Sequence, residues 1–133
     1  MINDIHFRFE DLEIWKDSVS LTKELFTIID KLYERKKYRI SQQLEGAAIS
    51  ISNNIAEGSG TKSGSEFKRY LVYARSSIFE CANIIYILYE VGIIEVKIKN
   101  LCLINLIIYQ EKFICFPKLF QPEKIANRLA LCA

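Results

Sequence analysis

Histidine is almost missing from this chain, which has one histidine, two prolines and one tryptophan among 133 residues. The single histidine, His6, lies near the N-terminus. A di-iron carboxylate bundle needs a Glu-x-x-His pair on each of two helices, and neither pair exists in this sequence. The sequence also lacks a Cys-x-x-Cys pair, a glycine-rich phosphate loop after a strand and a serine in a nucleophile elbow. These absences predict a protein that is not an enzyme and that binds no metal and no cofactor.

The composition is that of a folded domain with an unusually large apolar share. Half of the residues are hydrophobic and 26% are charged, while the net charge is only +2. A chain of this length is expected to form a single domain, residues 1–133. We divide it into an N-terminal arm (1–10), a helical bundle (11–118) and a tail (119–133). The apolar excess predicts surface that is buried between subunits as well as within one.

Nothing in the sequence predicts a membrane protein. No segment reaches the roughly 18 uninterrupted apolar residues that a membrane-spanning helix requires. Charged residues interrupt the N-terminal region, unlike in a signal peptide. The four cysteines are widely spaced, which favours free thiols in a reducing compartment. We therefore expect a cytoplasmic protein without a membrane partner.

The clearest helical pattern runs from position 40 to position 58. Apolar residues recur there on one face at steps of three and four: Ile40, Leu44, Ala47, Ala48, Ile51 and Ile55. A stripe of small and branched residues lets other helices approach, so we place this helix in the middle of a bundle. Gly58 is predicted as its left-handed C-terminal stop. Ser63 with Glu66 is predicted as a capping box that opens the next helix.

Three more helices are predicted, at positions 11–34, 64–90 and 93–116, the first with Asp11 as its N-cap. Only a few residues separate each predicted helix from the next. Links this short place consecutive helices side by side and antiparallel. The fold class is therefore all-α, an up-down-up-down four-helix bundle.

The third helix has two apolar lines. Its predicted core line is Phe67, Leu71, Ala74, Ile78, Cys81, Ile85 and Leu88. A second line at seven-residue spacing lies about 100° away around the helix: Val72, Phe79 and Tyr86. A lone bundle would leave this second line in water, so we predict that it lies in a subunit interface.

A polar constellation is predicted where the second and third helices pack. Its members are Asn54, Glu57, Ser77 and Glu80. A hydrogen-bonded network that fixes the angle between the helices is the favoured interpretation, because buried polar groups need partners. Acid and base catalysis by Glu57 and Glu80 is the alternative.

Basic residues gather at two of the links. The candidate nucleic-acid contacts are Arg35, Lys36, Lys37, Arg39, Lys62 and Arg69. Tyr33 and Tyr38 are interleaved with the first cluster, which also includes Lys31. Lysine and arginine contact phosphates, and aromatic rings stack on exposed bases. Repetition around an oligomer axis would join the clusters into a basic rim, which predicts binding of RNA or DNA. The alternative is an adaptor that binds a protein partner and no nucleic acid.

Three segments together resemble a known family. They are residues 9–15, residues 66–80 and the run Ser-Ile-Ser-Asn-Asn-Ile-Ala-Glu-Gly at positions 50–58. The chain resembles, over roughly residues 7–118, the bacterial four-helix-bundle proteins encoded in intervening sequences of 23S ribosomal RNA genes. The resemblance implies a homo-oligomeric ring, with a pentamer favoured. That family is similar in fold to the accessory protein of diversity-generating retroelements, so a reverse transcriptase or another protein is a possible partner by analogy.

Overall fold

The computed structural model describes the backbone of residues 5–119 and the side chains of residues 5–113. Within that range the chain forms a short 3-10 helix, four α-helices and no strand. The elements are the 3-10 helix Arg8–Asp11, α1 Glu13–Glu34, α2 Tyr38–Ser59, α3 Gly64–Glu90 and α4 Val96–Leu119. The all-α prediction is confirmed. Positions 1–4 of the predicted arm and 120–133 of the predicted tail lie outside the described residues.

The helices pack in chain order, and α4 closes the bundle against α1. The links at 35–37, 60–63 and 91–95 are short, and short links make neighbouring helices antiparallel. Two of the links therefore lie at one end of the bundle and the third lies at the other. We call residues 31–39 the α1–α2 end and residues 57–69 the α2–α3 end. The 22 residues of α2 separate the two ends by about 33 Å.

The core takes one face from each helix. Every residue of the predicted α3 core line is buried, with at most 5% of its surface exposed. By length and composition alone, α3 also resembles a membrane-spanning helix. Nine of its residues are buried, and the helix packs against α2 and α4.

The predicted N-cap of the first helix is wrong. Asp11 belongs to the 3-10 helix, and the N-cap of α1 is Leu12, whose side chain makes no capping bond. Phe9 packs its ring against Trp15 at 4.8 Å between centroids. The 3-10 helix thus joins the bundle through aromatic contact, and no polar side chain caps α1.

The predicted role of Gly58 is also wrong. Gly58 is buried inside α2, which ends with Gly60 as its C-cap at φ −80°. A Cβ at position 58 would lie 2.7 Å from Phe67 Cδ2 and 2.7 Å from Tyr70 Cβ. Close approach of α3 to α2, and not a left-handed backbone, therefore requires glycine here.

Candidate nucleic-acid interface

The α1–α2 link is a Schellman motif. The Lys36 amide donates to the Tyr33 carbonyl and the Lys37 amide donates to the Leu32 carbonyl, both at 2.9 Å. This pattern places a left-handed residue just after the helix cap, and glycine is the usual choice. Here the residue is Lys36, with φ 59°. A left-handed conformation costs a side-chain-bearing residue about 1 kcal/mol, so the turn stores a small strain.

The α3–α4 link repeats the same motif at the same end of the bundle. The Gly92 amide donates to the Tyr89 carbonyl at 2.9 Å, and the Ile93 amide donates to the Leu88 carbonyl at 2.8 Å. Gly92 has φ 73°. The same turn therefore occurs twice at this end. Its left-handed position is held by glycine in one link and by lysine in the other.

The Schellman turn brings two tyrosines together across the link. The rings of Tyr33 and Tyr38 lie 4.9 Å apart between centroids at an interplanar angle of 65°. The two residues are 61% and 46% exposed. An edge-to-face pair covers at most one face of one ring, so flat aromatic surface faces solvent beside the link.

Positive charge surrounds this tyrosine pair. Positions 31–39 hold five cations and one carboxylate, Glu34. Lys36, Lys37 and Arg39 are exposed and take part in none of the ion pairs found within residues 5–113. Lys37 is the N-cap of α2, its side chain makes no capping bond, and the first turn of α2 has no acidic residue. The N-terminus of a helix carries a partial positive charge, which adds to the charge of these side chains. The electrostatic potential around the link is therefore positive and favours the binding of an anion.

Arg35 is used differently from the other three predicted contacts at this end. Its Nη1 donates to the Ile93 carbonyl at 3.0 Å, which ties the α1–α2 link to the α3–α4 link. Arg35 also borders an open cleft of about 550 Å³ between α1 and α4, whose floor includes Ile28 and Ile98. Asn105 Nδ2 crosses that cleft to Glu24 Oε2 at 2.6 Å.

The other two predicted contacts, Lys62 and Arg69, lie at the α2–α3 end. The structure therefore does not bring all six residues together. Arg69 Nη2 lies 3.7 Å from Glu66 Oε1, so part of its charge is balanced. Positions 57–69 hold three cations and two carboxylates. This end has weaker net positive charge than the α1–α2 end.

The polar contact between α2 and α3 centres on Ser50. Ser77 Oγ donates to Ser50 Oγ at 2.9 Å. Asn54 Nδ2 donates to the Ser50 carbonyl at 2.8 Å and to Ser50 Oγ at 3.1 Å. Two of the predicted members, Asn54 and Ser77, thus share a partner that the prediction did not include, while Glu57 and Glu80 are exposed and lie outside this set of bonds. The helical period placed Ser50 beside Asn54, so the signal for it was present.

The second apolar line of α3 is exposed in the single chain. Val72, Phe79 and Tyr86 are 61%, 56% and 51% exposed. Two cations lie over its rings, since Arg75 Cζ is 5.3 Å from the Phe79 centroid and Lys99 Nζ is 5.8 Å from that of Tyr86.

A further exposed apolar face lies on α4. Its residues are each more than half exposed: Leu101, Ile104, Ile107 and Ile108. The interface predicted from the sequence does not include these four residues.

The described side chains do not form a group of three or more histidine, cysteine, aspartate or glutamate residues that could hold a metal. Cys81 is buried, and that burial raises the pKa of its thiol to about 12. A thiol with so high a pKa is a poor nucleophile near neutral pH. Burial also raises the pKa of the half-buried Cys102 thiol.

The fold and the surface together place this protein in a class of small all-α bundles. Its distinguishing features are one basic, aromatic end and exposed apolar faces on α3 and α4. Residues 10–108 match the family model of the 23S rRNA-intervening sequence proteins. The match spans about three quarters of the chain, and the chain belongs to this family. A comparison with the curated proteins finds no match.

Proposed function

We propose that this protein is a non-catalytic, homo-oligomeric scaffold or accessory factor in the cytoplasm that binds RNA or DNA through its α1–α2 end. The observation that carries the proposal is the set of three exposed cations, Lys36, Lys37 and Arg39, for which no carboxylate partner is found within residues 5–113. Such cations contact phosphates without reading sequence.

Self-association is supported by two uncovered apolar faces. The α3 line (Val72, Phe79, Tyr86) and the α4 face (Leu101, Ile104, Ile107, Ile108) lie on different helices, and both are exposed. A two-fold contact uses the same patch on both copies, whereas a head-to-tail contact joins two different patches and can close into a ring. Two faces favour the head-to-tail arrangement. A pentamer is favoured by family resemblance alone.

Assembly would strengthen nucleic-acid binding without any new contact. Each copy in a closed ring presents its α1–α2 end on the same side, because cyclic symmetry repeats one orientation. Several weak sites on one particle then bind one long strand with a much higher overall affinity than a single site does. A small charged cluster on each subunit is therefore sufficient.

The binding proposal is tested by titrating the full chain against labelled RNA and DNA oligonucleotides at increasing salt. We expect binding at low salt that weakens linearly in a plot of log affinity against log salt, because bound cations release counterions from the phosphates. We expect oligonucleotides of unrelated sequence to bind with nearly the same affinity. Absence of binding to every oligonucleotide at low salt contradicts the proposal.

The assembly proposal is tested by substituting Phe79→Glu, with Val19→Glu as the matched control. Val19 is also an exposed apolar residue, at 43%, but it lies on α1. We expect Phe79→Glu to reduce the mass measured by light scattering, because a buried unpaired carboxylate is unfavourable. Val19→Glu is expected to leave the mass unchanged. An unchanged mass for both variants would remove Phe79 from the interface.

An adaptor that binds a protein partner is the second candidate function, and the exposed α4 face favours it. Purification from native cells with and without nuclease separates the two functions. A protein that remains bound after nuclease treatment supports the adaptor, whereas partners lost on nuclease treatment support nucleic-acid binding.

A further inference from the structure

We infer that the α1–α2 end is a site for an unpaired nucleic-acid strand, in which Tyr33 and Tyr38 stack on bases while Lys36, Lys37 and Arg39 contact the adjoining phosphates. This inference rests on the proposed function and specifies its ligand. A duplex is the alternative ligand for the same cations, and the experiment below distinguishes the two.

The tyrosine pair is the first argument for an unpaired strand. Its two rings are 61% and 46% exposed, although burial of an aromatic ring is strongly favourable. Bases inside a duplex already have both faces stacked, so an exposed ring gains nothing from a duplex. Unpaired bases offer free faces, and proteins that bind single strands stack them on aromatic side chains.

The spacing of rings and charges is the second argument. Lys36 and Lys37 are two of the four residues between the two tyrosines, and Arg39 directly follows Tyr38. The turn folds so that the rings lie 4.9 Å apart between centroids, with these cations at the same end of the bundle. A single strand alternates bases and phosphates at short intervals, so one short segment reaches both kinds of group. The neighbouring carboxylate, Glu34, reduces the positive potential without removing it.

The backbone of Lys36 is the third argument. It adopts φ 59° where the equivalent position of the α3–α4 link has Gly92. A lysine in this conformation is strained, whereas glycine is not. Strain at a site that holds a charged side chain in the open is consistent with a binding role for that side chain. One substitution at Lys36 is therefore expected to have opposite effects on stability and on binding.

The ligand class is tested with a 20-nucleotide RNA, used as a single strand and annealed to its complement, in fluorescence anisotropy titrations of the full chain. The double variant Tyr33→Leu/Tyr38→Leu keeps apolar side chains and removes the rings. Tyr73→Leu is the matched control, since Tyr73 is 49% exposed and lies on α3. We expect the double variant to lose about tenfold in single-strand affinity, with duplex affinity and the Tyr73→Leu variant unchanged. Light scattering on each variant checks that assembly is retained, so that avidity does not differ.

The outcomes separate the inference from the proposed function. Equal losses for single strand and duplex, or no loss for either, overturn the stacking site while nucleic-acid binding stands. A wild-type protein that prefers the duplex also overturns it. A wild-type protein that binds neither form overturns the proposed function and this inference with it.

Lys36→Gly gives an independent test of the same site. Glycine relieves the strained φ and removes the charge, so we expect a higher urea midpoint together with a single-strand affinity about threefold lower. Lys36→Arg keeps the charge and the strain, and it is expected to match the wild type in both measurements. A Lys36→Gly variant that binds the strand as tightly as the wild type removes Lys36 from the site.

Discussion

The two ends of the bundle use their polar residues in different ways. At the α2–α3 end the side chains bond to the chain itself: Ser59 Oγ donates to the Ala56 carbonyl and Thr61 Oγ1 donates to the Gly58 carbonyl, both at 2.7 Å. At the α1–α2 end Lys36 and Lys37 bond through their backbone amides, and their charged side chains are exposed. The hydroxyls at one end complete the hydrogen bonding of the last turn of α2, whereas the lysine side chains at the other end leave charge available to a ligand.

This difference shows why a count of basic residues is a poor guide to a binding surface. Lys62 and Arg69 at the α2–α3 end satisfy the same sequence criterion as Lys36 and Lys37. Only the structure shows that Arg69 lies near Glu66 and that the tyrosine pair lies at the opposite end. Two predictions test the contrast between the ends, and two more concern residues that lie between them.

The largest expected effect is on nucleic-acid affinity. Reversing three charges at the α1–α2 end, with Lys36→Glu, Lys37→Glu and Arg39→Glu together, should weaken binding at low salt by about 100-fold or more, because phosphate contacts become repulsions. The matched triple at the α2–α3 end, Lys62→Glu, Lys68→Glu and Arg69→Glu, should weaken it by about threefold or less. Equal losses in anisotropy titrations would abolish the distinction between the ends.

The next effect is on stability at the α2–α3 end. Gly58→Ala places a Cβ 2.7 Å from Phe67 Cδ2 and Tyr70 Cβ, and overpacking of this kind costs about 2 kcal/mol. Gly46→Ala in the same helix meets nothing within 4 Å and should stabilise the protein by about 0.5–1 kcal/mol. Urea denaturation measures both. A Gly58→Ala variant as stable as the wild type would show that α3 yields at this contact.

A smaller loss is expected midway between the ends. Ser50→Ala removes the hydroxyl that receives bonds from Ser77 and Asn54, which should cost about 1 kcal/mol of unfolding free energy. Ser76→Ala is the control, because Ser76 is exposed and its hydroxyl bonds only to the Val72 carbonyl of its own helix. The same midpoint for both variants in urea would show that the Ser50 contact adds no stability.

The smallest effect is a pH dependence that involves neither end. Burial raises the pKa of the Cys81 thiol from 9.0 to about 12, so the unfolded chain loses this proton first. The stability associated with the protonated thiol is complete below pH 9 and is lost as pH rises from about 9 toward 12. The loss should stay below about 1 kcal/mol at pH 9.5.

Cys81→Ala removes this contribution and serves as the control for the pH series. Unfolding free energies at pH 7 to 10 should therefore fall less steeply in the variant than in the wild type. The pKa of Tyr109 is also raised by burial, which adds a decline above pH 10 in both proteins. Parallel curves below pH 10 would exclude Cys81 as the source.

Most of the fold is predictable from the sequence because helical periodicity is local. The α3 core line contains seven residues, and all seven are buried. The first helix shows the limit of this reasoning: Val19 and Tyr33 share an apolar stripe with Trp15 but are exposed, while Ser18 is buried. Ser18 Oγ donates to the Trp15 carbonyl at 2.5 Å, so a polar residue enters the core with its bond satisfied.

The candidate site is less predictable, because it depends on contacts between helices and on backbone angles. The run Arg-Lys-Lys does not predict a left-handed backbone at Lys36, since glycine is the residue expected at that position. The role of Gly58 depends on where Phe67 lies, which is a property of α3. The charged and aromatic residues of the site are visible in the sequence, whereas their separation into two unlike ends is not.

The absence of a side chain at Gly58 also fixes the position of α3 along α2. A side chain there would meet the Phe67 ring and Tyr70 Cβ. If α3 moved by one helical turn toward the middle of α2, about 5.4 Å, that ring would meet the position of Asn54. The two helices therefore keep a single register, and every copy of the protein has α3 at the same height along α2.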